Sequence, residues 1–181
     1  MPKQRYVLLD RDGVINIDSD AFIKSPEEWL PIDGSLEAIA LLNAYGYRVV
    51  VVTNQSGIAR GLFDEAMLEQ IHTKMQTLVH EKGGLISAIY YCPHGPDDIC
   101  ACRKPKAGML LDFARDYTID LVDIPVVGDS LRDLQAAKTV GALPILVKTG
   151  KGEDTLLKNP QLTTLVFENL YEAAKFIIAR P

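Results

Sequence analysis

The chain has 181 residues, enough to close a substantial core as one domain, and with 48% hydrophobic and 24% charged residues it has the make-up of an ordinary globular protein. A formal net charge of -5 argues against nucleic acid as a partner, because phosphate-backbone binding needs a concentrated positive face; a local basic pocket for a small anion stays compatible with it. No stretch reaches the roughly 18 uninterrupted apolar residues of a membrane helix, so no membrane partner is expected.

Met1-Pro2-Lys3-Gln4-Arg5 carries no leader-like apolar run and leads straight into the first strand, which points to a cytoplasmic protein. Val7-Leu8-Leu9 is a short aliphatic run of the kind that forms a buried strand, and it delivers Asp10 and Asp12 to the strand's carboxyl end. The irregular stretch 16–34 follows, with a helical turn expected where Ser25 precedes Pro26. Helical spacing then covers Ser35 to Ala44, and the run Tyr47 to Val52, aliphatic and without alternation, predicts a strand buried on both faces, ending in Thr53-Asn54-Gln55-Ser56-Gly57. Asp64 caps the next helix, whose stripe is Met67, Leu68, Ile71, Met75 and Leu78; His72 and His80 on it read as structural or solvent-facing. A strand from Leu85 to Tyr91 leads into a cysteine-containing loop. A helix from about Ala107 to Tyr117, a strand Ile124–Gly128, a helix Leu131–Val140 and a strand Leu143–Val147 come next. Leu165–Phe167 reads as a short edge strand before a last helix, Leu170–Ala179. Such alternation predicts an α/β fold: a doubly wound parallel sheet with helices on both faces, forming a single domain over residues 1–181 with no separate cap domain.

Four polar clusters follow four of these segments: Asp10 with Asp12, Thr53 with Asn54, Arg103 with Lys104, and Asp129 with Asp133. An isolated Asp-x-Asp-Gly is equally well a capped turn, but in a doubly wound sheet the four strand ends converge. Carboxylates gathered at one point repel unless a hard cation or protons intervene, and magnesium suits oxygen ligands of this type. Asp10, ionised at neutral pH, can attack phosphorus in line to form an aspartyl phosphate; Asp12 can protonate the leaving alkoxide and then activate water.

Asp10-Arg11-Asp12-Gly13, Thr53-Asn54-Gln55-Ser56-Gly57, Arg103-Lys104-Pro105 and Gly128-Asp129-Ser130-x-x-Asp133 resemble the four ordered motifs of the haloacid dehalogenase superfamily of phosphatases. Val51 to Gly61 and Tyr90-Tyr91-Cys92-Pro93-His94 are similar to its D-glycero-D-manno-heptose 1,7-bisphosphate 7-phosphatase branch. The resemblance implies Asp10 as nucleophile, Asp12 as general acid and base, and Thr53 and Lys104 as phosphoryl stabilisers. It also implies magnesium on Asp10, Asp129 and the main-chain carbonyl of Asp12, and Arg103 in substrate recognition. The implied substrate is a small phosphorylated sugar, in the supply of heptose for lipopolysaccharide, and the protein is expected to act as a monomer.

Cys92-x-His94-x5-Cys100-x-Cys102 offers three thiolates and an imidazole, the ligand set of a closed, structural zinc site, rather than three unrelated buried thiols. Such a knot over 92–102 would aim the adjoining Arg103 and Lys104 into the phosphate site. Specificity is left to loops: Asp18 and Asp20 are candidate sugar contacts or solvated surface acids, Asn54, Gln55 and Ser56 are candidate substrate contacts, and Arg60 is a distal-phosphate ligand or a surface cation. The branch often has Gly-Tyr where this chain reads Asp18-Ser19-Asp20-Ala21-Phe22, so sugar contacts are not transferred there. Histidinol-phosphate phosphatase, whose domain resembles this one, is the alternative activity; a zinc-organised binding module or a phospho-acceptor switch is the alternative from another class. Asp12 argues against a switch, which gains nothing from a base that hastens loss of its phosphate.

Overall fold

A computed structural model describes residues 4–181; Met1–Lys3 of the amino-terminal stretch read above lie outside the described residues. Six parallel strands form one sheet: β1 (Arg5–Leu9), β2 (Tyr47–Asn54), β3 (Ile86–Cys92), β4 (Pro125–Gly128), β5 (Leu143–Val147) and β6 (Leu165–Phe167), in the order β3-β2-β1-β4-β5-β6. The chain builds outward from β1 through β2 to β3, then returns to lay β4 on the other side of β1. The strand order therefore reverses at β1, and the crevice of an open α/β sheet forms beyond the carboxyl ends at such a point.

The strands read as continuous apolar runs because both faces are covered, so alternate residues enter two different cores. Val7, Leu9, Val49 and Val51 face one core with Ile39 and Leu42 of α1 (Ser35–Ala44), Ile71 and Met75 of α2 (Glu65–Glu81) and Ala174 and Ile177 of α6 (Leu170–Ala179). Tyr6, Leu8, Val50 and Val52 face the other, against Leu110 and Phe113 of α3 (Gly108–Tyr117) and Ala136 and Ala137 of α4 (Leu131–Thr139). The expected doubly wound sheet is thus present. Among the described residues no helix is long and apolar enough to cross a membrane, and no separate cap domain stands between β1 and β2 or between β2 and β3.

Asp64 caps α2 as expected, its carboxylate accepting from the Met67 N–H at 2.8 Å. Ser25 does not cap: the turn at Pro26–Glu28 is a short 3-10 helix without a side-chain cap. One helix escapes the sequence reading altogether, α5 (Gly152–Lys158), which buries only Gly152 and Thr155 and so has no apolar period to announce it. The long stretch 16–34 is pinned rather than loose. Trp29 is fully buried, and the Lys74 ammonium of α2 donates to the Pro26 and Trp29 carbonyls at 2.6 and 2.8 Å.

Candidate active site

Asp10 stands one residue beyond β1. Both its protein donors reach the same oxygen: Oδ1 accepts from the Arg11 N–H at 2.8 Å and pairs with the Lys104 ammonium at 3.1 Å. Lys104, from the loop before α3, is only 4% exposed; its Nζ also pairs with Asp133 Oδ1 at 2.6 Å and donates to the Val52 carbonyl at 2.8 Å. Burial disfavours charge on this lysine, but the carboxylates of Asp10 and Asp133 outweigh it and hold the ammonium charged. Asp133, on the first turn of α4, has protein donors on both oxygens, since its Oδ2 accepts from the Ser130 N–H at 3.0 Å and hydroxyl at 2.7 Å. Burial would raise its pKa; Lys104 and Ser130 hold it lowered instead.

Asp129, just beyond β4, accepts the Lys151 N–H at Oδ2, 2.8 Å away. One oxygen each of Asp10, Asp129 and Asp133 lie within 4.8 Å of one another. With one lysine among three carboxylates the balance stays negative: burial pushes Asp10 up to about 7, Lys104 lowering it and Asp133 and Asp12 raising it, and burial with Asp10 and Asp133 pushes Asp129 up to about 8. This donor set, hard oxygens in want of positive charge, fits a magnesium ion. Since both oxygens of Asp133 are taken up by its lysine and serine, whereas Asp10 and Asp129 are each engaged at one oxygen, Asp10 and Asp129 are the carboxylates that would hold it.

Asp12 is held in a second, adjoining network. Its Oδ1 accepts from Arg11 Nε at 3.0 Å, Arg11 Nη2 at 2.9 Å and Asn16 Nδ2 at 3.0 Å; its Oδ2 accepts from Gln55 Nε2 at 3.0 Å. Burial pushes this carboxyl up, but Arg11, Asn16 and Gln55 together hold it below the usual range. Gln55 also donates to the Thr53 hydroxyl at 3.0 Å and accepts from Arg11 Nη2 at 3.2 Å. Arg11 is wholly buried, and its remaining arm, Nη1, lies 3.2 Å from Nε2 of a buried His72. His72 is therefore structural, not solvent-facing. Sequence reasoning gave Arg11 no role although it stands within the Asp10-Arg11-Asp12-Gly13 motif, and it left His72 open between a structural and a solvent-facing position.

Asp10, Asp12, Lys104, Asp129 and Asp133 floor a cavity of about 230 Å³ at the reversal of the strand order, and the other predicted contacts surround it. Thr53 sits behind Gln55, buried, and does not line the cavity. Asn54 lines it, yet both ends of its side-chain amide are taken up by the Lys104 backbone, at 3.0 and 3.1 Å. Arg60 lies over the Phe22 ring, 5.4 Å from its centre, and Arg103 donates to the His94 carbonyl at 3.1 Å. Ser56 lines the same cavity. Asp18 and Asp20 both face Lys151, at 3.4 and 3.6 Å, with Asp20 almost fully exposed. Lys151 and Arg132 complete a basic rim that sequence reasoning missed: Lys151 stands beside an unannounced helix, and Arg132 is a lone cation on the first turn of α4, where nothing separates it from a solvated surface position.

The four cysteine and histidine ligands meet where β3 ends. Their candidate ligand atoms lie within 4.8 Å of one another, with Cys92 Sγ 3.9 Å from Cys100 Sγ and His94 Nδ1 3.4 and 3.2 Å from the sulfurs of Cys92 and Cys102. Cys102 Sγ lies 2.8 Å from Cys92 Sγ, closer than the roughly 3.3–3.8 Å between ligand atoms of a tetrahedral zinc site, so it is the donor set, three thiols and an imidazole converging on one point, that fits the ion.

Residues 101–173 match a family model described as HAD-hydrolase-like. The chain is 56% identical over 174 residues to D-glycero-beta-D-manno-heptose-1,7-bisphosphate 7-phosphatase of Pseudomonas putida, covering 96% of this chain and 99% of that protein. It is 59% identical over 152 residues to the protein of the same name from Bordetella bronchiseptica, covering 84% and 85%. The crystal structure of D,D-heptose 1,7-bisphosphate phosphatase from B. bronchiseptica, complexed with magnesium and phosphate, superposes with a TM-score of 0.93 at 54% identity, over 96% of this chain and 98% of that one.

Proposed function

Because the chain belongs to the heptose-bisphosphate phosphatase branch of the haloacid dehalogenase superfamily and is a phosphoric monoester hydrolase, we propose that it removes the 7-phosphate of D-glycero-D-manno-heptose 1,7-bisphosphate through an aspartyl-phosphate intermediate. The observation that carries this reading is the buried Lys104 ammonium shared by Asp10 and Asp133. It occupies Oδ1 of Asp10 and leaves Oδ2 as the attacking atom.

In the first step Asp10 Oδ2 bonds to phosphorus as the bond to the ester oxygen breaks; Asp12, ionised in the free site, takes up the proton that the phosphate monoanion carries in and hands it to the departing sugar oxygen. In the second, Asp12 takes a proton from water, whose oxygen attacks the same phosphorus and returns Asp10 to its free carboxylate. Lys104 opposes the charge gathering on the phosphoryl oxygens, and Thr53 anchors Gln55 beside Asp12. Magnesium, held by Asp10, Asp129 and the Asp12 main-chain carbonyl, would supply further charge neutralisation. Zinc on Cys92, His94, Cys100 and Cys102 would be structural, since four ligands leave no open position. Residues 1–181 would act as one catalytic domain, a cytoplasmic monomer whose partner is a small phosphorylated sugar. Arg60, Arg103 and the loop bearing Asp18 and Asp20 border the sugar and its second phosphate in this reading.

Phosphate release from the heptose bisphosphate and from histidinol phosphate, each with and without magnesium, tests the assignment: the heptose ester is expected to have the higher kcat/KM, and the reverse order overturns it. Asp10→Asn is expected to lower turnover at least about a thousandfold while leaving circular dichroism and Tm near wild type. Appreciable turnover by that variant removes Asp10 as the nucleophile.

A further inference from the structure

Arg11 has five N–H groups and no acceptor, and it is sealed from solvent. Nε and Nη2 are spent on Asp12 and Gln55, and Nη1 faces Nε2 of His72 at 3.2 Å. Since a guanidinium can only donate, Nε2 of His72 must be the lone-pair nitrogen and the ring neutral. The histidine itself is fixed by α2, where its neighbours Ile71 and Met75 are fully buried in the core, so it is a rigid stop for the guanidinium. The fork that remains meets Asp12 from one side while Gln55 and Asn16 close on it from the others.

We propose that His72 is a positioning residue for the reaction: through Arg11 it fixes the Asp12 carboxylate at the cavity floor, so that removing its lone pair loosens the acid and base but not the nucleophile. Asp10 does not share this dependence, because its donors are the Arg11 backbone N–H and Lys104. The inference rests on the phosphatase reading given above. It predicts a dependence on the leaving group, since proton donation matters when an alkoxide departs and scarcely at all when p-nitrophenolate does.

The test compares kcat/KM, which reports transfer to Asp10, for the sugar phosphate that the wild-type protein turns over best and for p-nitrophenyl phosphate. His72→Phe keeps the ring and removes the acceptor; it is expected to lower kcat/KM about tenfold or more on the sugar phosphate and less than about twofold on the aryl ester. His72→Gln, which restores an acceptor near the same place, is expected to recover most of the loss, and Asp12→Asn sets the ceiling of the selective effect. Arg11→Lys, which keeps the charge but cannot bridge Asp12 and His72, is expected to show the same selectivity, with no further loss on adding His72→Phe. Equal losses on both esters, no loss on either, or additive effects in the double variant overturn the proposal. A crystal structure of His72→Phe or, should that variant not fold, of His72→Gln is a readout independent of turnover. An Arg11–Asp12 pair undisturbed by Phe, or one displaced despite the Gln acceptor, also overturns it. Wild-type protein that releases phosphate from neither ester defeats the phosphatase reading instead, and these structures still decide whether His72 positions Asp12.

Discussion

Gly13 holds a φ of +81°, and a β-carbon on it would lie 2.0 Å from Oδ2 of Asp129. Two requirements therefore coincide at one residue: a left-handed backbone just after Asp12, and room for a carboxylate arriving from the end of β4. Gly83 has the same φ with nothing within 4 Å, so it isolates the first requirement. Gly13→Ala is expected to displace Asp129, raise the magnesium concentration needed for turnover and lower kcat/KM about a hundredfold, as a reacting group moved by about an ångström does. Gly83→Ala is expected to cost roughly 1–2 kcal/mol of stability and leave turnover unchanged. Magnesium titrations of phosphate release with the two variants, beside denaturant unfolding, check both; equal turnover by Gly13→Ala and wild type would refute the packing argument. At this scale the acidic residues were legible because each follows an apolar run that had to be a strand. Arg11 was not. An arginine between two aspartates has the composition of a solvated turn, and only the packing of α2 against β1 and β2 shows it sealed in.

The strands were legible for the same physical reason that they are buried: an aliphatic run bounded by turn residues has few other places to go. Strand β3 begins at Ile86 rather than Leu85, which is exposed, and β2 runs on through Thr53 and Asn54 because their backbones continue the ladder with β3. Helix α5 was not legible, and with it went Lys151, whose backbone N–H meets Asp129 and whose ammonium meets Asp18. The loop between β3 and α3 is the element on which the proposed zinc acts. Cys92 closes β3, Arg103 is tied back to the His94 carbonyl, and the Lys104 backbone is clasped by Asn54 at the end of β2. The proposed metal knot and the Asn54 clasp hold the two cations from opposite sides. Removing zinc with a chelator, magnesium being kept in excess, is expected to raise KM roughly tenfold with a smaller change in kcat, since Asn54 still holds Lys104 when Arg103 is freed. Unchanged kinetics in protein shown to be zinc-free by elemental assay would sink the idea.

Across the whole molecule, the two cores on opposite faces of the sheet leave the strand ends as the place where charge can collect, and the cavity floor collects it in excess of its one lysine. The site is thus built against the stability of the fold, and the buried histidine beside it makes that cost visible in pH. Burial, and then the neighbouring Arg11, push His72 down to about 3, with Asp12 opposing more weakly. The unfolded chain binds a proton at this residue below about pH 6.5, whereas the folded chain does not until about pH 3, so unfolding takes up a proton across that window. The stability contributed by His72 is accordingly whole above about pH 6.5 and declines as the pH falls, by up to about 1.4 kcal/mol per unit. His72→Gln keeps an acceptor for Arg11 and has nothing to titrate, while Asp10, Asp129 and the other carboxylates are common to both proteins and cancel in the comparison. Between pH 7 and pH 5 the wild type is expected to lose about 2 kcal/mol more than His72→Gln. Urea unfolding at a series of pH values, at fixed ionic strength and without magnesium, measures the difference. Parallel stability curves for the two proteins would mean that His72 takes up its proton as readily in the folded chain as in the unfolded one, so that neither burial nor Arg11 holds its lone pair free.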